Sequence, residues 1–312
     1  MTLTKNIGYT MKNFFLSLKT KHCKNKISIP VMIIVTLVIA MSSSAEANSF
    51  VVNVIGKGKP VILIPGLMSD QRVWKDLAEE LSKNKRVHLV NIAGFGATPT
   101  IKGQSLLTVK QELEDYIKYN KLNNPVIIGH SLGGYMTFWL ASENPNSIGP
   151  IVSVDGLPFL GPIFTQTNET TVESIKPQAD MVSKSYKTMS SELMVAQTRY
   201  GLNVQATSDE SKQIIIDMAS TSEPTVVGEA IHSLLSRDLR PEIKTIKNKI
   251  LLLGASGGFT KQSDHLRIRN LYNEQLAGAS NAKLVMNTQA RHFIMLDDSA
   301  WLNKQIVDFL GE

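Results

Sequence analysis

The sequence predicts an α/β fold: a mostly parallel central β-sheet flanked by helices, with a helical insertion. Three observations carry this. Short apolar runs alternate with amphipathic segments between residues 50 and 158. From 159 to 240 no apolar strand run occurs and helical periodicity dominates. The strand rhythm then resumes at Ile250.

The elements follow in order. Val51–Ile55 and Val61–Ile64 read as strands separated by the turn Gly56-Lys57-Gly58-Lys59. Residues 70–83 read as a helix, because Val73, Trp74, Leu77 and Leu81 recur at helical spacing. Arg86–Ile92 is a strand. Leu106–Tyr119 is a helix with Leu113, Tyr116 and Ile117 on one face. Pro125–Ile128 is a short strand, Leu132–Ser142 a helix, and Ile148–Val154 another strand. Helices are expected over Val172–Thr188, Ser191–Tyr200, Ser208–Met218 and Thr225–Leu235. The second half of the sheet comes from Ile250–Leu253 and Ala282–Met286, with helices over 264–277 and Ser299–Leu310.

Residues 1–47 stand apart. Six lysines (Lys5, Lys12, Lys19, Lys21, Lys24 and Lys26) precede or abut an apolar run from Ile27 to Met41, and the small-residue pattern Ala45-Glu46-Ala47 follows. This order is that of a secretory signal peptide cleaved after Ala47, and predicts export to the periplasm or beyond. The membrane is then met only in transit; an uncleaved anchor is the alternative, although 15 apolar residues are short for a span. Removing these residues takes the formal charge from +6 to +1, because 27 basic and 26 acidic residues remain. No basic patch interleaved with aromatics is left, which argues against nucleic-acid binding. The single cysteine, Cys23, lies within the leader, so no disulfide framework or cysteine metal site is expected.

Three segments carry chemistry. Val126-Ile127-Ile128-Gly129-His130-Ser131-Leu132-Gly133-Gly134 contains G-x-S-x-G between a predicted strand and a predicted helix. A serine on that sharp turn is held at the helix amino end, where dipole and free N–H groups favour developing negative charge. Ser131 is therefore the candidate nucleophile. Acyl transfer needs two donors aimed at the oxyanion. The candidates are the N–H of Leu132, next after the serine, and of Leu67, in Pro65-Gly66-Leu67-Met68. A serine hydroxyl also needs an adjacent base. Of His88, His130, His232, His265 and His292, only His292 falls in a loop after the last strand. His88 is expected to pack mid-strand, and His130 to point away from its neighbour.

Together these segments resemble the α/β-hydrolase superfamily over residues 50–312. Asn91-Ile92-Ala93-Gly94-Phe95-Gly96 looks like the family's glycine loop. Ser222-Glu223-Pro224, Asp238-Leu239-Arg240-Pro241 and Arg291-His292-Phe293-Ile294-Met295 resemble a group of exported bacterial members. With the signal peptide at 1–47 set aside, the resemblance implies a hydrolase core over 48–158 and 241–312, and a helical cap over 159–240. It implies a Ser-His-Asp triad without cofactor or metal. In most members the acid follows the strand that corresponds to Ile250–Leu253, where this chain has Gly254-Ala255-Ser256-Gly257-Gly258 and no aspartate. In some members it ends the preceding strand, where Asp155 follows Val152-Ser153-Val154. Asp155 is the first candidate and Asp264 the alternative; an aspartate introduced at Gly257 is a further source if the loop tolerates a side chain.

The resemblance implies hydrolysis of a small-molecule carboxylic ester through an acyl-enzyme. An amide or peptide hydrolase is the nearest alternative. A degenerate hydrolase fold used for binding is the alternative from another class.

Overall fold

A computed structural model describes residues 48–311. The leader expected over 1–47 lies outside the described residues. Seven strands form one sheet: β1 (Phe50–Gly56), β2 (Lys59–Ile64), β3 (Lys85–Ile92), β4 (Val126–His130), β5 (Ile151–Val154), β6 (Ile250–Ala255) and β7 (Ala282–Asn287), in the order β1-β3-β2-β4-β5-β6-β7. Only β1 runs antiparallel, against β3; the remaining pairs are parallel.

Alternation along each strand splits the core in two, as a period of two requires. Ile62, Ile64, Ile127, Ile151, Ile250 and Leu252 face one side, with Leu113 of α2 (Leu106–Tyr119) and Phe138 of α3 (Leu132–Glu143). Val61, Leu63, Ile128, Val152, Leu251 and Leu253 face the other, with Leu77 of α1 (Lys75–Leu81) and Leu302 of the last helix. Strands buried on both faces are continuous in apolar sequence, and β5 and β6 are buried throughout.

Five helices lie between β5 and β6: α4 (Gly161–Thr165), α5 (Val172–Lys187), α6 (Ser191–Gln205), α7 (Asp209–Ser220) and α8 (Pro224–Ser236). Their starts are written in the sequence. Thr171, Ser190 and Ser208 each accept the backbone N–H three residues on. After β6 come α9 (Gln262–Gln275), then β7, α10 (Ile294–Asp297) and α11 (Ser299–Leu310). Phe159, Ile175, Ala179 and Leu235 form a small core of their own within the insertion. Arg240 fastens its beginning: the guanidinium holds Asp238 and donates to the carbonyls of Asn168 at 2.6 Å and Thr170 at 2.7 Å.

Some expectations shift. The strand expected from Ile148 begins at Ile151, since Pro150 has no N–H and the Gly149 N–H goes to the Pro125 carbonyl at 2.9 Å. The helix expected over 70–83 opens as a 3₁₀ turn, Gln71–Trp74, with Asp70 as its cap. The short helices α4 and α10 span 5 and 4 residues, too few to establish a periodicity.

His88 packs in β3 at 3% exposure, its Nδ1 2.7 Å from the Tyr116 hydroxyl. Burial, and secondarily the Arg86 charge, push its pKa down from 6.5 to about 4. The fold thus prefers the neutral ring. That contribution to stability is whole above pH 6.5 and drains away as pH falls towards 4, because the unfolded chain takes up the proton first. His88→Gln should flatten this pH dependence. Urea midpoints at about pH 7 and about pH 4.5 test it; equal slopes in variant and wild type would contradict it.

Candidate active site

The candidate site lies along the carboxyl edge of the parallel strands. It spans the switch point where β3 and β4 flank β2 in opposite directions. Ser131 follows β4 with φ 52° and ψ −113°, a strained conformation for a residue with a side chain. The turn is braced by the Ser131 N–H, which donates to the Val154 carbonyl at 2.9 Å. It is tight enough that a Cβ at Gly129 would sit 2.0 Å from the Gly133 carbonyl oxygen. Leu132 begins α3, so its N–H has no acceptor within that helix. Ser131, Leu132 and Leu67 all line one cavity of about 400 Å³.

Asp155 and His292 line the same cavity. Asp155 directly follows β5 with φ 51°, and its own N–H donates to the Leu253 carbonyl at 2.7 Å. The carboxylate reaches over the end of β6. Oδ1 accepts the Ala255 N–H at 2.8 Å and the Tyr272 hydroxyl at 3.0 Å; Oδ2 lies 2.6 Å from His292 Nδ1. The Asp155 side chain is 7% exposed and that of His292 27%, so the carboxylate is shielded while the imidazole stays accessible. With Nδ1–H directed at the carboxylate, Nε2 carries the lone pair that a general base needs.

Asp264 goes elsewhere. It sits in the first turn of α9 with its Oδ1 3.5 Å from Arg267, and does not line the cavity. Among the other histidines, His265 contacts the Ser256 hydroxyl at 2.8 Å and His232 contacts Asp180 at 3.1 Å. Gly257 corrects an expectation. A Cβ there would stand 2.1 Å from the Gln289 carbonyl oxygen and 2.7 Å from that of Ala290, so the loop has no space for an aspartate.

From the sequence His130 is expected only to point away from Ser131. It is fully buried, and its Nε2 lies 3.1 Å from the His292 carbonyl oxygen, so that nitrogen carries the proton. Burial first, then the neighbouring His292, hold its pKa well below the imidazole range, so the ring stays neutral. It anchors the backbone of His292 beneath the serine turn. Nothing in the sequence singles out Tyr272, because a tyrosine within a helix that covers a sheet looks like core.

Residues 59–299 match the family model described as alpha/beta hydrolase fold. The chain belongs to that family. This α/β-hydrolase is 25% identical over 135 residues to a probable alcohol acetyltransferase of Saccharomyces cerevisiae, covering 42% of this chain and 38% of that protein. It is 28% identical over 105 residues to a pimeloyl-[acyl-carrier protein] methyl ester esterase of Proteus mirabilis, covering 33% and 39%. The chain thus spans about two fifths of the length of these two relatives. Among solved structures, the enol-lactonase of Burkholderia xenovorans LB400 superposes with a TM-score of 0.67 at 20% identity, covering 84% of this chain and 96% of that one. A thermophilic esterase of Thermogutta terrifontis gives 0.68 at 17%, covering 84% and 92%. At these identities the likeness to solved structures is one of fold.

The contacts at 257 set an expected outcome. Gly257→Asp should lower stability by about 1–3 kcal/mol, the usual cost of forcing atoms into a packed site. Denaturant melts of purified variant and wild type measure it, and an unchanged midpoint would show that the loop moves aside.

Proposed function

We propose that this α/β-hydrolase is a serine hydrolase of carboxylic esters, with Ser131 as nucleophile, His292 as base and Asp155 as acid. The observation that carries the reading is the 2.6 Å contact between His292 Nδ1 and Asp155 Oδ2, beside the cavity that Ser131 lines. The strained turn at Ser131 adds support, because such strain concentrates at functional sites. Among the relatives, the one from Proteus mirabilis is named a methyl ester esterase.

The reaction follows from the groups. Ser131 Oγ attacks the ester carbonyl carbon while His292 Nε2 takes the hydroxyl proton. The carbonyl oxygen becomes an oxyanion, held by the N–H groups of Leu67 and Leu132. The C–O bond to the alcohol breaks, and His292 returns the proton to the departing oxygen. Water then attacks the acyl-enzyme with His292 again as base, releasing the acid and restoring Ser131. Asp155 stays ionised throughout, holding the tautomer and facing the imidazolium as it forms.

We assign the segment 159–240 as a cap over this site, with the core in 48–158 and 241–312. Cavity-lining residues Leu160, Ile163, Phe164, Ile231 and Leu234 come from the insertion. Their apolar character suits an uncharged acyl chain. Export through cleavage after Ala47 completes the proposal; intact mass of the exported protein should begin at Asn48, and a retained Ile27–Met41 would establish an anchor instead.

Steady-state kinetics on a chromogenic short-chain ester tests the catalytic reading. Ser131→Ala and His292→Ala should each cut kcat by about 10³-fold or more, with the fold intact. Asp155→Asn should cut it by about 10⁴-fold through loss of the tautomer, while Asp264→Asn stays near wild type. Substantial turnover in Ser131→Ala would remove the nucleophile. An inactive Asp264→Asn beside an active Asp155→Asn would reverse the acids.

A further inference from the structure

Asp155 reaches its position from an unusual direction. It leaves the end of β5 and crosses the end of β6, where Gly257 has no room for a carboxylate. A side chain that spans a strand end needs fixing at its tip, since rotation about χ2 exchanges its oxygens. Two donors meet Oδ1: the Ala255 N–H at 2.8 Å and the Tyr272 hydroxyl at 3.0 Å. Tyr272 comes from α9, which follows β6, and is 6% exposed.

The ring has a slot built for it. A Cβ at Gly254 would lie 2.7 Å from Tyr272 Cδ2 and 2.9 Å from Cε2, so β6 carries a glycine where the tyrosine crosses it. Burial, with the Asp155 charge beside it, raises the phenol well above its ordinary range. The hydroxyl therefore keeps its proton and can only donate to an ionised Asp155.

We propose that Tyr272 is a positioning residue for the acid: with the Ala255 N–H it pins Oδ1 of Asp155, leaving Oδ2 to face His292. The kinetic consequence rests on the triad reading above. Hydrogen bonds to a carboxylate stabilise its charged form and spread its charge. Without the hydroxyl the carboxylate turns more freely and holds an imidazolium more strongly. His292 is faced by Asp155 from the end of β5 and by neutral His130 from β4, with Arg291 next in sequence. The carboxylate is thus the group through which Tyr272 reaches it.

Tyr272→Phe keeps the ring in its slot and removes only the hydroxyl; Oδ1 retains the Ala255 N–H. The expected result is a fall in kcat of about 10-fold with KM within about twofold. The acid limb of the pH–rate profile should move upward by about half a pH unit. In an Asp155→Asn background, Tyr272→Phe should cause no further loss. A second readout needs no turnover: the NMR resonance of the His292 Nδ1–H should shift in Tyr272→Phe. An unmoved resonance would overturn the positioning role, even with Asp155→Asn inactive. A moved resonance with Asp155→Asn fully active would keep that role and reject the catalytic reading. Equal losses from Tyr272→Phe in both backgrounds would show that it acts through the cavity wall, and would overturn the proposal.

Discussion

An aspartate at the end of one strand holds an imidazole carried after a strand two places away, and much of the carboxyl edge of the sheet answers to that span. The contact is 2.6 Å between Asp155 Oδ2 and His292 Nδ1. It depends on where the strands stop: Val154 at the end of β5 pairs with Leu253, two residues short of the end of β6, and β6 and β7 end together at Ala255 and Asn287. The loop after β6 must stay low, which the glycine at 257 allows by packing on the carbonyls of Gln289 and Ala290. The loop after β7 must lie close, and His130 from beneath holds the carbonyl of His292. Ser131 is set by an independent device, the tight turn from β4 into α3.

A buried carboxylate is costly unless its charge is met by hydrogen bonds. Asp155 has three: one from backbone, one from phenol, one from imidazole. The imidazole's bond strengthens when the ring becomes cationic, so in the proposed mechanism the carboxylate gives more to the charged intermediate than to the resting state. The strand-end geometry and the catalytic proposal therefore share one cause.

The sheet was legible because parallel strands buried on both faces leave runs such as Ile250-Leu251-Leu252-Leu253, which helices do not need. Ser131 was legible because close approach of strand and helix forces glycines at fixed spacing around it. His292 could be located by eliminating the other histidines. The sequence left Asp155 and Asp264 as rival acids, because what separates them is reach across a sheet edge, a three-dimensional quantity. Tyr272 and His130 were missed for a related reason: their hydroxyl and imidazole act on residues 117 and 162 positions away. The space at Gly257 was equally hidden, since only the neighbouring chain fills it.

In the proposed mechanism His292, held by Asp155, activates Ser131. Labelling with a fluorophosphonate, followed by peptide mass mapping, tests it most directly, because the reagent consumes only an activated serine. One adduct is expected, on the peptide containing Ser131, formed rapidly in wild type and at least about 10²-fold more slowly in Asp155→Asn. An adduct on another serine, or equal labelling rates in the two proteins, would contradict it.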